Sequence, residues 1–425
     1  PVGTPMLVET GRLGRRAVRL TPSAAPRLSE VEETAVELIT ESSVQFRLRA
    51  SPAGPSLFYR PASRLIRDLG VLALAVLGVP GPRVLDAMSG SGVRTLRYVL
   101  EGGASFVLAN ELMEGEHPLE ANLAPLVADG RCNVSHSDAI DVYLRGKLDG
   151  TRFDMVDIDA FGTGQPHLSE AWYALKAGGL LYICATDSLT TKGENPHKAW
   201  SGYAATAQSF PACNEQGLRL VVATAFREAA ARNLHAAPVF SYFHRPSSTF
   251  RVMMRLVRAR RPPAATFEQL GYVARCPECG ELWRVKADEL GGVGAVGARR
   301  CCAHASRGAP KVSGPLWVGP MHDAAYVQAM SAEAEARGWE EAVTLLGRMA
   351  AEAEAEADGA LLWYHLGEVE RVIAAAGLGQ PPLARLVAAL RAAGFAASPS
   401  HMVRGRGRGR GRARARARVR VTLPL

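Results

Sequence analysis

The chain lacks any apolar run long enough to cross a bilayer. Its longest run, Leu69 to Val79, falls short of the roughly 20 residues that a membrane-spanning helix requires, so we expect a buried helix there and no membrane association. The basic segment that ends at Arg27 has no continuous apolar stretch of the secretory type, although it is compatible with the remnant of an organellar transit peptide. These absences favour an intracellular protein, in the nucleus, the cytoplasm or an organelle such as a plastid or mitochondrion.

Bulk positive charge is also missing once the C-terminal tail is set aside. The formal net charge is +9, but Arg404 to Arg420 contains nine arginines and no acid, and subtracting nine from 50 basic residues leaves 41 against 41 acidic residues. The rest of the chain is therefore neutral overall, and any affinity for nucleic acid has to come from a local patch. We expect the tail, residues 402–425, to be disordered and to bind polyanions without sequence preference.

The number of cysteines is odd, whereas a framework of disulfides would have an even number. The seven cysteines and the missing secretory signal favour a reducing compartment. Four of the seven lie close together, as Cys276-x-x-Cys279 and then Cys301-Cys302, followed by His304. This spacing is typical of a structural zinc site with ligands Cys276, Cys279, Cys301 or Cys302, and His304, and the alternative is an incomplete site that has lost its metal.

What is present indicates a soluble globular protein of two or three domains. The chain has 425 residues, of which 48% are hydrophobic and 21% charged. We expect residues 1–30 to be poorly ordered, residues 31–261 to form an α/β domain, and residues 262–401 to form a smaller C-terminal α/β domain. An Arg- and Pro-rich junction around Pro262 separates the last two.

Four acids end the first four predicted strands. Asp86, Glu111, Asp138 and Asp159 each close a short predicted strand, and the first strand leads through Gly90-Ser91-Gly92 into a helix. In a doubly wound sheet, the carboxyl ends of parallel strands meet and bind a nucleotide-like ligand. A dehydrogenase would show a tighter G-x-G-x-x-G, so seven predicted strands with these acids favour a Rossmann-like class I methyltransferase that uses S-adenosylmethionine.

The candidate cofactor-binding residues lie on the glycine-rich loop, at the strand ends, and on a helix predicted from Ala62 to Leu77. Arg67 of that helix is expected over the loop, and the alternative is that it belongs to a solvated face. The candidate set is Arg67, Asp86, Ser89, Gly90, Gly92, Glu111, Asp138 and Ala139.

The fourth strand end carries the candidate catalytic residues, Asp159 and Phe161. In Asp159-Ala160-Phe161-Gly162, the acid can accept a hydrogen bond from an exocyclic amine, the aromatic ring can stack on a base, and the glycine allows close approach. The alternative is a capped loop with a core phenylalanine.

Residues 321–397 read as a helical scaffold. The alanine-rich pattern predicts helices from Ala324 to Arg337, Trp339 to Ala357, Ala360 to Ala375 and Pro382 to Ala393. Three glutamates spaced two residues apart, Glu352, Glu354 and Glu356, are expected on a solvated face.

Several ordered motifs resemble those of the tRNA guanosine-26 N2-dimethyltransferases. The resemblance covers roughly residues 38–401 and departs from the family pattern at Arg60, at Ile66 and at Ala160, where the family usually has asparagine, asparagine and proline. The motifs that carry it are Leu57–Leu69, Val84–Glu101, Asp157–Gly162, Gly178–Asp187, Cys213–Arg219, Cys276–Gly280 and Gly314–Trp317.

The resemblance implies that S-adenosylmethionine is the methyl donor, that tRNA is the partner, and that residues 262–401 bind the tRNA. It implies that a monomer methylates the N2 amine of guanine 26, twice. Asp159 would accept a hydrogen bond from the amine and take its proton, and Phe161 would stack on the base. An adenine-N6 or small-molecule amine methyltransferase is a second hypothesis, although the adenine box normally has two residues between acid and aromatic, and Asp159 and Phe161 have one. A non-catalytic RNA-binding protein on this fold is the third.

Overall fold

The computed structural model describes residues 36–49, 59–114, 118–209, 211–257, 264–286, 309–357, 363–365, 379, 381–401 and 418–421. It begins with an antiparallel hairpin of β1 (Val36–Glu41) and β2 (Val44–Arg49). Alternate residues of β2 are buried, as expected for a strand with one face on the core.

A seven-stranded mixed sheet forms the centre of the fold, as the sequence predicts. Its strands are β3 (Arg83–Asp86), β4 (Phe106–Asn110), β5 (Cys132–Ser135), β6 (Phe153–Ile158), β7 (Leu175–Ala185), β8 (His235–His244) and β9 (Thr249–Val257). Their order is β5-β4-β3-β6-β7-β9-β8, in which β9 runs antiparallel to both its neighbours and β3 to β7 are parallel. Every residue of β6 is buried, so the strand lacks the regular apolar–polar alternation of a strand with one exposed face.

Helices connect and cover these strands. They are α1 (Arg64–Ala75), α2 (Val93–Leu100), α3 (Leu119–Ala128), α4 (Ala139–Leu148), α5 (Gln165–Ala171), α6 (Ser188–Thr191), α7 (Pro196–Tyr203) and α8 (Cys213–Ala231). The first follows a 3-10 turn, Pro61–Ser63, which begins with a proline, a residue suited to the first position of a helix. No helix in the described ranges combines the length and apolar character needed to cross a membrane.

The C-terminal part adds two small sheets and four helices in the described residues. Its elements are α9 (Ala264–Phe267), β10 (Leu270–Arg275), β11 (Leu282–Lys286), β12 (Lys311–Trp317), α10 (Ala324–Ala336), α11 (Glu340–Ala357), β13 (Trp363–His365), α12 (Leu383–Ala392), β14 (Ala397–Pro399) and β15 (Arg418–Val421). The sheet orders are β11-β10-β12 and β13-β15-β14. The α/β class is thus confirmed.

Three C-terminal expectations differ from the structure. Within the predicted helix Ala360–Ala375, the described residues Trp363–His365 form a strand. The tail is not wholly disordered, since Arg418–Val421 pairs with β13 and β14, and its alternating arginine and valine has the period of a strand. The glutamate run is not a solvated face, because Glu352 and Glu356 are buried beside partners far away in the sequence.

The C-terminal part shares its core with the large sheet. Trp317 belongs to the apolar cluster that contains Phe226 of α8, and Leu346 belongs to the second cluster, with Leu69 of α1. The Tyr326 hydroxyl donates a hydrogen bond to the Ala73 carbonyl at 2.7 Å. These contacts hold α10 and α11 against α1. The expected boundary between two domains stays a prediction.

Candidate active site

A cavity of about 440 Å³ lies at the carboxyl ends of the parallel strands. This volume is in the range of small-molecule sites. Eight of the ten residues predicted for cofactor binding and catalysis line the cavity. They are Arg67, Ser89, Gly90, Glu111, Asp138, Ala139, Asp159 and Phe161, whereas Asp86 and Gly92 are not among the lining residues.

The glycine-rich loop is fastened to the end of β4. Gly90 donates its backbone N–H to Glu111 Oε2 at 2.8 Å, and Ser89 donates its own to the Asn110 carbonyl at 2.8 Å. Gly90 and Gly92 have φ of 53° and 80°, values that non-glycine residues rarely adopt. The Glu111 carboxylate keeps acceptor capacity for a further donor, such as a hydroxyl, because each of its oxygens can accept two hydrogen bonds.

Asp86 lies behind this loop rather than on the cavity wall. The Thr95 hydroxyl donates to Asp86 Oδ2 at 2.8 Å, and the side chain is fully buried. Burial, together with the nearby Asp157, raises the pKa of Asp86 to about 7. In this arrangement, the Asp86 carboxylate ties the end of β3 to α2 and supports the loop from below.

Arg67 reaches the cavity wall with its charge already balanced. Its guanidinium is paired with Glu41 of the hairpin, with Nε donating to Glu41 Oε1 at 2.7 Å. Glu41 also accepts hydrogen bonds from Arg97 at 3.0 Å and from the Tyr59 hydroxyl at 3.0 Å. Burial acts to raise the pKa of Glu41, but Arg67 and Arg97 outweigh it and hold the pKa below its usual value. No local pattern points to this acid, because it lies 26 residues before Arg67.

Asp138 caps the helix that follows β5. Its Oδ1 accepts the backbone N–H of Ile140 at 2.8 Å, so the other oxygen is available to a donor in the cavity. Asn110 donates to the carbonyls of Ala87 and Ser137, at 3.2 Å and 3.0 Å. This amide therefore joins the loops after β3 and β5 across the loop after β4.

Two buried arginines hold Asp159. Arg94 of α2 donates Nε to Asp159 Oδ2 at 3.1 Å, and Arg251 of β9 donates Nη2 to Oδ1. Burial acts to raise the pKa of Asp159, but the charges of Arg251 and Arg94 outweigh it and hold the pKa well below its usual value. The carboxylate is thus fixed in its ionised form, with about a third of its surface open to the cavity.

A second carboxylate lies beneath this pair and completes the charge balance. Asp157 accepts a hydrogen bond from Arg94 Nη1 at 3.1 Å and another from the Tyr98 hydroxyl. The network holds two arginines and two aspartates. Sequence reasoning missed both arginines, and the one signal available was a charged residue within an apolar segment, most clearly Arg251 in β9.

The turn after Asp159 is pinned to the end of β7. Gly162, at φ 74°, donates its N–H to the Thr186 hydroxyl at 2.7 Å and accepts the Thr186 N–H at 2.6 Å. Next to it, the Thr163 hydroxyl donates to Tyr203, which donates to Asp187 at 2.8 Å. Phe161 is 68% exposed at the cavity wall, so an apolar ring faces outward from a rigid turn.

The structure describes half of the predicted zinc ligands. Cys276 and Cys279 lie in the turn between β10 and β11, where Gly280, at φ 81°, donates its N–H to the Cys276 carbonyl at 3.1 Å. Cys276 is buried and Cys279 exposed. Cys301, Cys302 and His304 lie outside the described residues, so the zinc site stays a prediction.

Sequence comparison gives one consistent family. The model of the family described as N2,N2-dimethylguanosine tRNA methyltransferase matches residues 35–407. The tRNA (guanine(26)-N(2))-dimethyltransferase of Methanopyrus kandleri is 28% identical over 373 residues, which cover 86% of this chain and 91% of the relative. The enzyme of the same name from Pyrobaculum aerophilum is 31% identical over 348 residues, covering 81% and 84% respectively.

Structural comparison agrees on the fold. Trm1 from Pyrococcus horikoshii, solved in complex with S-adenosyl-L-methionine, superposes with a TM-score of 0.72 at 23% identity, covering 91% of this chain and 97% of that one. The chain therefore has the same overall fold as that protein.

Proposed function

The chain belongs to the N2,N2-dimethylguanosine tRNA methyltransferase family, and we propose that it transfers methyl groups from S-adenosylmethionine to the N2 amine of guanine 26 in tRNA, twice on the same nitrogen. The observation that carries the proposal is the pairing of an ionised Asp159 with an exposed Phe161 on one pinned turn of the cavity. An amine acceptor and a stacking surface are the two things that a flipped guanine needs.

The cavity fits S-adenosylmethionine in its donor and acceptor groups. The Glu111 carboxylate beside the glycine loop suits ribose hydroxyls, and the open oxygen of Asp138 suits the adenine amino group, with the Ala139 backbone next to it. Ser89 and Gly90 present backbone without bulky side chains. When bound, the sulfonium supplies an electrophilic methyl group.

Asp159 acts as a hydrogen-bond acceptor in this proposal rather than as a store for the proton. The N2 lone pair of guanine is delocalised into the ring, and an acceptor for its N–H localises that lone pair as the methyl is transferred. A carboxylate whose pKa is held low by Arg94 and Arg251 is a weak base, so it stabilises positive charge on N2 while solvent takes the proton. The two arginines also fix the direction of its lone pairs.

Phe161 holds the base after it leaves the tRNA stack. Its exposed ring lies two residues after Asp159, and two hydrogen bonds between Gly162 and Thr186 hold the turn that follows. Stacking on an aromatic ring contributes about 1–3 kcal/mol per base. We assign Phe161 to positioning the base and Asp159 to polarising it.

The remaining roles are proposals of the same kind. Residues 262–401 bind the tRNA, zinc bound by Cys276 and Cys279 with ligands from residues 301–304 stabilises that part, and the protein acts as a monomer. The turn that holds the two cysteines, with its glycine at positive φ, supports the zinc proposal.

The decisive experiment uses the full chain, unmodified tRNA transcripts and labelled S-adenosylmethionine, followed by digestion and mass spectrometry of the nucleosides. We expect N2-methylated and N2,N2-dimethylated guanosine, and no label in a matched transcript with adenine at position 26. Label in N6-methyladenosine would support the second hypothesis instead. Cofactor binding without any transfer would support a non-catalytic RNA-binding protein.

A further inference from the structure

Three buried side chains from separate segments converge in the C-terminal part. His322 lies between β12 and α10, Glu352 lies on α11, and His401 follows β14. Each has at most 1% of its side chain exposed. They lie apart from the cofactor cavity, since none of them lines it, and they have no place in the mechanism described above.

Both imidazoles face the same carboxylate oxygen. Glu352 Oε2 lies 3.2 Å from His322 Nε2 and 2.6 Å from His401 Nδ1. Glu352 Oε1 accepts the backbone N–H of His401. Two ring nitrogens and one carboxylate oxygen thus form a compact triangle, with all three atoms within 4.8 Å of one another.

These distances approach those of a metal-ligand set. With metal–ligand bonds of about 2.0–2.1 Å in a tetrahedron, ligand atoms lie roughly 3.4 Å apart. The His322 nitrogen already has close to this separation from Glu352. The His401 ring would need to withdraw by roughly 0.8 Å to reach it.

The remaining nitrogens leave the ring tautomers open. His322 Nδ1 and His401 Nε2 are buried and have no hydrogen-bond partner among the residues that the structure describes. Within the described part of the chain, no donor to these two nitrogens forces the facing nitrogens to carry the protons, so both can present lone pairs to a cation. A cation bound among the three groups would offset part of the cost of burying the carboxylate.

We propose that His322, Glu352 and His401 bind a divalent transition metal, with zinc the best match to two imidazoles and one carboxylate. The metal would join the segment before α10, helix α11 and the end of β14 at one point. Because these segments lie far apart in the chain, a shared ion would restrain the C-terminal part much as a cross-link does. The competing occupant is a proton shared between Glu352 and one imidazole.

Cobalt substitution tests the proposal on the full chain. The fourfold variant C276S/C279S/C301S/C302S removes all the cysteine ligands proposed for zinc, so that neither predicted thiolate pair can bind the metal. We expect one equivalent of Co²⁺ with visible ligand-field bands, and without the near-ultraviolet charge-transfer band that thiolate ligands produce. Zinc should displace it and raise the melting temperature.

Glu352→Gln in the same background should abolish the cobalt spectrum, whereas the control His197→Asn, which removes an exposed histidine, should leave it unchanged. Circular dichroism confirms that each variant is folded. The proposal is overturned if the folded C276S/C279S/C301S/C302S protein takes up no metal, as a shared proton would predict. It is also overturned if the bound cobalt has the same spectrum with and without Glu352→Gln.

Discussion

Asp159→Asn is the sharpest test of the proposed chemistry, because the change is isosteric and removes one charge. The amide oxygen of the variant can still accept from Arg251, but its NH₂ group then faces the donors of Arg94. The variant loses the ionised acceptor for the guanine amine while the rest of the cavity is unchanged. We therefore expect S-adenosylmethionine to bind nearly as before and methyl transfer to collapse.

The size of the loss follows from two contributions. Two unit charges about 4 Å apart interact by about 4 kcal/mol at an effective dielectric constant of about 20. Asp159 is 34% exposed, so solvent screening reduces this to about 2 kcal/mol. A charge-assisted hydrogen bond adds about 1.5 kcal/mol. At about 1.36 kcal/mol per tenfold change in rate, kcat should fall roughly 10²- to 10³-fold.

The pH dependence of this loss separates an acceptor from a titrating base. Burial acts to raise the pKa of Asp159, but Arg251 and Arg94 outweigh it, so the wild-type carboxylate is ionised throughout the range from about pH 5 to pH 8. The ratio of the wild-type rate to the Asp159→Asn rate should therefore be constant across that range.

The assay is single-turnover methyl transfer to tRNA with saturating cofactor, and isothermal titration measures cofactor binding. Asp154→Asn is the matched control, because Asp154 lies on the same strand and pairs with Lys176, away from the cavity. We expect its kcat within threefold of wild type. A loss below tenfold for Asp159→Asn, or a ratio that shrinks steadily on acidification, would refute the proposed role.

Three further predictions concern stability. Glu41→Gln leaves the guanidiniums of Arg67 and Arg97 without their shared buried carboxylate, so the free energy of unfolding in urea should drop by about 3 kcal/mol, and a drop under about 1 kcal/mol would contradict the network. Burial raises the pKa of Asp187 to about 6, so the folded state binds its proton more tightly than the unfolded chain does. Wild-type stability should then decrease relative to Asp187→Asn by about 2 kcal/mol as the pH rises from about 4 to 7, and parallel curves would contradict this. Gly92→Ala places a methyl group on backbone at φ 80°, 3.0 Å from a leucine side chain of α3, so the free energy of unfolding should drop by about 1–3 kcal/mol, and an unchanged melting temperature would contradict the strain.

Much of the fold can be read from local patterns. Parallel strands buried on both faces appear as short, mostly apolar runs, and Phe153–Ile158 is recognisable as one although it contains two aspartates. The glycine loop and the acids at the strand ends follow from the same local logic. Local patterns do not report which distant strand a segment pairs with. The sequence therefore predicts a helix at Trp363–His365, whereas the structure pairs these residues with the strand Arg418–Val421.

The sequence by itself determined the α/β class, the family resemblance and the eight cavity-lining residues among the ten predicted, because each depends on neighbours within one strand–loop–helix unit. Only the tertiary structure decided which charged partners the cavity side chains have and how these partners shift their pKa values. Arg251 reaches Asp159 across 92 residues, and Glu41 reaches Arg67 from the hairpin. A pattern along the chain reports which side of an element is apolar, but a charge acquires its partner only when distant elements pack together. Glu352 is an example: its sequence neighbours predict a surface position, but the packing of distant segments places it between His322 and His401 in a buried cluster.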